Sequence, residues 1–519
     1  MKRILLYLVA LVLVSGTAHA WEDDTSVNNQ ITPTGLNYFE NEVKTNQNGV
    51  TYAFIIGSGS PVSMRLQIVT PEGERIFSRT GELISKEQNN TWFGFNQYTE
   101  IDKNGDVFVG VEDRRNDPEN QLSTYTVYKY SAQGTKLMDG VLLNNGRGYI
   151  LSSGLSMCAT DDGGVVCAFN CINEAQKTDY VVIEKLDRNG KSLWIKTIYE
   201  SELYSNPIPY LTDAGEGRVM ALIACNGGIK AQIMTEGGET EFAQPKTVYT
   251  GGMASPKVWE VLQIDEMAGN KAAISVVDGD KQGRLLIIDG KGNICLDGSD
   301  KGIMLNTDYI YASDRPAVTY DEQSDTYTCA YKIVDYKNTA YSQVMLQKIN
   351  GADGTFAWSE PKVVLPFSFD DWYAYPVLRN ADNGRKALFF MSMNPGNYND
   401  VKAYMQLIEE DGSVTADKVA FATSNASKQT LRVSELVNGQ FVAAWDEKRT
   451  DQMSLYMQNI RIDGTTGISN ALTDNTTDTN AKKEYFTTDG IKTNRPTKGI
   501  NLVRTTTDGK VKTAKVLMK

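Results

Sequence analysis

"VVIEKLDRNGKSLW", Val181 to Trp194, decides the fold. An apolar strand meets the polar triplet Arg188-Asn189-Gly190, and a second strand follows. A tight hairpin needs a residue at positive φ, which glycine adopts without steric cost. The same figure recurs along the chain. Before it come "IVTPEGERIFS" (68–78) and "YKYSAQGTKLM" (128–138). After it come "QIMTEGGETEF" (232–242), "LIIDGKGNICL" (286–296), "QKINGADGTFAW" (347–358), "QLIEEDGSVTA" (406–416) and "NIRIDGTTGIS" (459–469). From Gly73 to Gly464 is 391 residues over seven intervals, about 56 per unit.

A second hairpin precedes each of these, as in "YTEIDKNGDVFVGVED" (98–113) and "RPAVTYDEQSDTYTCAYK" (315–332). Each unit therefore holds four strands, A to D. Strand B is apolar at consecutive positions, as in "VMALIA" (219–224) and "FVAAW" (441–445), so it is covered on both faces. A period near 50 residues with four short strands predicts an all-β, eight-bladed β-propeller over residues 21–470. A single unit cannot bury its own faces, whereas a closed ring of units can. Seven blades would need about 64 residues each, against the spacing; a sandwich series or β-solenoid is the other architecture compatible with a repeat. Both a first strand A (near Gly35–Val43) and a last strand D (near Thr466–Asn470) can be drawn, which leaves the ring closure open.

Lys2 and Arg3, the apolar run Ile4–Val14 and Ala18-His19-Ala20 have the layout of a secretory signal peptide over residues 1–20, with Trp21 the first mature residue. No later run is long and apolar enough for a transmembrane segment. An exported, outer-membrane-surface or extracellular protein is expected. Without Lys2 and Arg3, 50 basic residues face 64 acidic ones, a net charge of −14, which disfavours nucleic acid as a partner. The sole histidine, His19, lies within the leader. A processed chain thus lacks Ser-His and Cys-His nucleophile pairs and His-ligated metal sites, and acid-base chemistry falls to Asp, Glu, Tyr or Lys. No cofactor and no metal is expected.

Six cysteines include no CxxC pair. A two-residue turn at Asp162-Gly163 would set Cys158 opposite Cys167, within disulfide reach; the alternative is two buried thiols.

In a propeller the D–A and B–C loops gather at one mouth of the axial channel. The D–A connections here carry Trp92, Tyr149, Tyr210, Trp259, Tyr311, Trp372 and Tyr373 as candidate ligand-binding residues. Aromatic faces near Asp and Arg suit sugar rings; the competing role is as wedges between blades. "EDRRND" (112–117) and "DEKRTD" (446–451) occupy equivalent B–C loops, which argues for a structural job. "DKNGD" (102–106) looks like part of a calcium loop but lacks the remaining ligands. "LDRNGKSLW" (186–194) is loosely similar to the Asp-box of sialidases, six-bladed propellers whose chemistry needs an arginine cluster; the leading serine is missing and Trp194 falls one position late.

Beyond a polar Thr/Asp/Asn-rich linker (471–483), residues 484–519 alternate like strands. Tyr485–Gly490, "PTKGINLVR" (496–504) and the closing "KVLMK" resemble the C-terminal sorting domain of Bacteroidetes type IX secretion cargo. That resemblance implies a small β-sandwich read by the type IX secretion machinery, then release or attachment at the cell surface. The overall expectation is a non-catalytic propeller binding a glycan or protein ligand at the channel mouth. The alternatives are a histidine-free carbohydrate-active enzyme and a cell-envelope scaffold.

Overall fold

The computed structural model describes residues 21–518 apart from 33–36, 59–62, 87–98, 114–123, 147–148, 151–154, 174, 227, 256–261, 297–298, 307–309, 311–314, 336–337, 369–370, 395, 468–481, 488–491, 494–498 and 508–509. Among these residues the regular structure is strand, apart from a 3-10 turn at Leu143–Gly146, and turns link the strands. Eight antiparallel sheets of at least four strands follow one another along the chain, and a ninth lies in the tail. The eight are the blades. Blade one is built from Asn37–Thr45, Thr51–Ser58, Ser63–Val69 and Glu82–Lys86, each strand bonded to the next. Strand A of every blade contacts strand A of the blades on either side, so the eight close a ring around an axis.

The consecutive apolar residues of strand B explain the ring. Tyr52, Phe54 and Ile56 pack with Val107, Val109 and Val111 of blade two. The intervening Ala53 and Ile55 pack with Val442 and Ala444 of blade eight. Side chains alternate across a strand, so one apolar run serves two neighbours. The eight buried clusters are the eight interfaces between blades.

The repeated glycine turns hold these interfaces at the rim. In the opening stretch, Asp187 Oδ1 accepts from the Asn189 and Lys191 amides at 2.8 and 2.9 Å, and Gly190 sits at φ 84°. The glycines of the other seven C–D turns, Gly73 to Gly464, also have positive φ. Several of these turns are also seats for the preceding blade. Trp194 at the start of strand D lies on Gly238 of blade four, where a Cβ would stand 2.7 Å from the indole, and its Nε1 donates to Glu236 O at 3.0 Å. Phe77 on Gly134, Phe242 on Gly292 and Trp358 on Gly412 repeat the joint.

The same joint resolves the closure. The outer strand of blade eight is Asn29–Gln30, paired with Tyr456 and Met457, so the N-terminal segment completes the last blade, while residues 468–470 of the alternative closing strand lie outside the described residues. Trp21 takes the position that Trp194 takes in blade three. Its Nε1 donates to Pro71 O at 2.7 Å, its amide to Glu72 O at 3.1 Å, and its indole covers Gly73.

The cysteine expectation is corrected. Thr160 N bonds Gly164 O and Gly163 N bonds Thr160 O, so the turn is longer than two residues. The register becomes Cys158 opposite Val166 and Met157 opposite Cys167. A shift of one residue sends a side chain to the other face. Cys158 faces blade four and Cys167 faces blade two, and both thiols are free.

In the tail, Lys492–Thr493, Lys482–Phe486, Gly499–Thr507 and Lys510–Met518 form one antiparallel sheet in that order. Residues 1–20 and most of the expected linker lie outside the described residues.

Candidate functional site

The A strands meet around the axis, and the described lining of the channel wall comes from them and from Arg315 just before strand A of blade six. Between blades one and five to eight lies a cavity of ≈ 380 Å3. Its polar lining is Gln263, Asp265, Arg315, Tyr375, Arg379 and Arg432.

Two backbone irregularities shape this wall. Strand A of blade seven is bulged between Ala374 and Val377, and strand A of blade eight between Gln429 and Arg432. Tyr375 and Thr430, inside the bulges, have φ 53° and 60°. Non-glycine residues there cost of order 1–3 kcal/mol, and such outliers gather at binding sites. The first bulge leaves the Tyr375 ring 41% exposed at the cavity. Arg379 staples the two bulged strands: its Nε and Nη2 donate to Val433 O at 3.0 and 2.7 Å, and Nε lies 3.2 Å from Glu435. Opposite, Gln263 Nε2 donates to both oxygens of Asp265 at 2.9 and 2.8 Å. Burial pushes the Asp265 carboxyl above the usual carboxylate range, against the pull of Gln263, Arg379 and Arg315.

A second cavity, of ≈ 250 Å3, opens at the A–B turns of blades two to five and is lined by Glu100, Asp213, Arg218 and Glu266 among others. Lys44 Nζ bonds Glu100 at 2.9 Å and Thr99 O at 2.8 Å. Glu266 reaches the water of this cavity yet is walled by protein. Desolvation, then the charges of Glu100 and Asp213, push its pKa up to about 7. A carboxyl raised in the fold favours the folded state below its ordinary pKa of 4.5, and this contribution is lost as pH rises through about 7. Glu266→Gln should therefore raise the melting temperature relative to the parent, by an increment that grows between pH 5 and 8. Thermal scans across that range check it, and a pH-independent increment would contradict it.

The candidates drawn from sequence fare unevenly. Trp92, Trp259 and Tyr311 lie outside the described residues. Tyr149 lies in the short strand Tyr149–Ile150, opposite Ile172. Tyr210 is on strand A of blade four, opposite Leu222. Burial raises its hydroxyl pKa to about 12, with the Arg315 charge acting against that shift, and Tyr210 is not among the residues lining the cavity. Trp372 is half-buried, edge-on to Tyr398 at 6.3 Å, with Lys332 Nζ 5.7 Å from its centroid. Tyr373 is 3% exposed and packs edge-on to Phe390 at 5.7 Å within the interface of blades six and seven.

Tyr375 and the three arginines were not among those candidates. Their signal was present in "RPAVTY", "YPVLRN" and "TLRVS", where an arginine recurs within or just before strand A of three successive units.

The loop motifs have structural work. In 446–451, Glu447 is fully buried beneath Arg449, whose guanidinium carbon lies 4.2 Å from the Tyr456 centroid. In 102–106, Asp102 pairs with the Lys129 ammonium at 2.7 Å and accepts from the Asn104 and Asp106 amides. Among the described residues no group of three or more His, Cys, Asp or Glu could hold a metal ion.

No family model matches the chain, and no curated protein does. Similar solved structures include a polysaccharide lyase, an ulvan lyase, at 12% identity and TM-score 0.42, with 72% of this chain and 93% of that one covered. A lectin from Burkholderia pseudomallei gives 10% identity and TM-score 0.44, covering 70% and 94%. The β-propeller domain of the trilobed protease from Pyrococcus furiosus gives 9% identity and TM-score 0.38, covering 75% and 99%. The β-propeller assignment itself rests on the eight sheets and the closed ring of A strands.

Proposed function

We propose that this chain is an exported β-propeller that binds a carbohydrate in the axial cavity of blades one and five to eight without altering it chemically. The observation that carries the reading is the composition of that wall: an exposed tyrosine ring beside an amide–carboxylate pair and guanidinium groups. A sugar offers C–H faces that stack on an aromatic ring and hydroxyls that bridge donors and acceptors. Gln263, Asp265 and Arg432 supply both kinds of partner, and Tyr375 supplies the platform. The bulges hold this geometry before a ligand arrives, which lowers the ordering cost of binding. The tail's likeness to a type IX sorting domain supports display at the cell surface, with the secretion machinery as a partner.

Incubation with a polysaccharide panel, scored for both retention and new chain ends, tests the proposal. Retention without new ends is the expected result, weakened about tenfold by Tyr375→Ala. Absence of retention across the panel would overturn it.

A second reading, a histidine-free carbohydrate-active enzyme, is favoured by the Glu266 carboxyl, which at about 7 is suited to hold or release a proton at neutral pH. New chain ends in the same assay, abolished by Glu266→Gln, would move the assignment there.

A further inference from the structure

The cavity has a charge pattern that narrows its ligand further. Blades six, seven and eight each bring one guanidinium to it: Arg315, Arg379 and Arg432. Two carboxylates answer them: Asp265 lines the same cavity and Glu435 lies 3.2 Å from Arg379. The local balance is one positive charge in surplus with both acids ionised, in a chain whose formal net charge is −12. Three like charges around one cavity repel, and low-dielectric walls strengthen the field they make.

The three are not equivalent. Arg379 spends its nitrogens on carbonyl oxygens, two bonds to Val433 O and one of 3.0 Å to Leu378 O, so it is a positioning residue. It fixes the strand that carries Arg432, the residue immediately before Val433. Arg432 is exposed and lies immediately beyond the bulge of its strand. Its guanidinium presents a planar fork of donors, the geometry that matches a carboxylate or sulfate with two parallel bonds.

We infer that the axial cavity takes an acidic sugar, whose carboxylate or sulfate is gripped by Arg432 in the field of Arg315 and Arg379. This rests on the carbohydrate reading above. Neutral hydroxyls would leave the positive surplus unanswered, whereas an anionic substituent cancels it.

The test uses the full chain and matched polymers: polygalacturonate against its carboxyl-reduced form, and dextran sulfate against dextran. The inference expects one acidic polymer to bind at least about tenfold more tightly than its neutral counterpart. Arg432→Ala should remove that difference and leave the melting temperature unchanged, and Arg432→Lys should restore only part of it. The preferred pair identifies the anionic group. Equal binding of acidic and neutral forms, or an acidic preference untouched by Arg432→Ala, would overturn the inference while leaving carbohydrate binding in place. Failure of all four polymers to bind would overturn both.

Discussion

Trp21→Ala is expected to destabilise the whole ring by about 3–5 kcal/mol, the range for truncating a buried aromatic to alanine. Trp21 is 4% exposed and lies in the cluster that joins blade eight to blade one, with Ile31, Ala53, Ile55, Val442 and Ala444. The substitution removes the indole from that cluster and its bond to Pro71 O. The damage would concentrate at the seam, because the closing strand contributes a ladder of two paired residues and the rest of its hold comes from Trp21 and scattered loop bonds. Around it, Ile31 N donates to Leu455 O at 2.8 Å, Leu455 N to Thr32 Oγ1 at 2.9 Å and Thr423 N to Thr25 O at 2.8 Å, and Asn28 and Gln458 add side-chain bonds to Phe421 O and Glu22 O. Urea unfolding should show the shift in midpoint, and hydrogen exchange should show lost protection at 29–31 and 455–457 ahead of the other blades. Trp194→Ala makes the informative comparison. It removes the equivalent joint from a blade closed by a continuous hairpin, so the loss should be smaller and confined to blades three and four. A Trp21→Ala loss under about 1 kcal/mol, with exchange unaltered, would mean that the N-terminal segment does not close the ring.

Glu447→Ala should cost a similar amount, about 3–5 kcal/mol, by a different route. Glu447 is fully buried and accepts from Trp445 Nε1 at 2.7 Å, from Arg449 Nε at 2.5 Å and from the Ser424 hydroxyl. Lys428 Nζ is 3.9 Å away and is held by the carbonyls of Val401 and Ser424 at 2.6 and 2.7 Å. Without the carboxylate, two cations remain beside a vacated buried position. The pH dependence identifies the cause. Burial lowers the Lys428 pKa to about 8, against the pull of Glu447 and with help from Lys402 and Arg449. A lysine depressed in the fold gains stability as pH rises from its folded pKa toward its unfolded value of 10.5, because the unfolded chain binds more protons there. Removing Glu447 lowers the folded pKa further, so that window opens earlier. The deficit of the variant should therefore narrow between pH 7 and 9, as denaturation midpoints at each pH would show. A deficit constant over that range would assign the loss to packing alone.

The architecture was legible because it is enforced by repetition. Eight glycine turns and consecutive apolar residues on strand B leave few folds that bury both faces, and the structure uses every one of those turns. Ring closure was not legible: Asn29 and Gln30 are polar, only two residues long, and carry neither strand periodicity nor a turn signal. Their pairing is dictated by a partner more than 420 residues away. The cysteine register failed on one residue, since Asp162-Gly163 and the longer turn from Thr160 share a sequence but differ in which strand face follows. The axial residues were hidden for a third reason. Arg315, Arg379 and Arg432 are unremarkable singly, and their convergence exists only after three strands about 55 residues apart are laid around one axis.

The seam has an implication for how the polypeptide could be rewired. Thr466 Oγ1 donates to Asp23 O at 3.2 Å, so entry and exit of the body lie side by side. A short peptide spliced across that gap would make the backbone endless, and the loop could be cut anew at an exposed bend such as Arg188-Asn189 with the same neighbours retained. Where the gene starts and where the wheel is fastened are thus separable properties of this molecule.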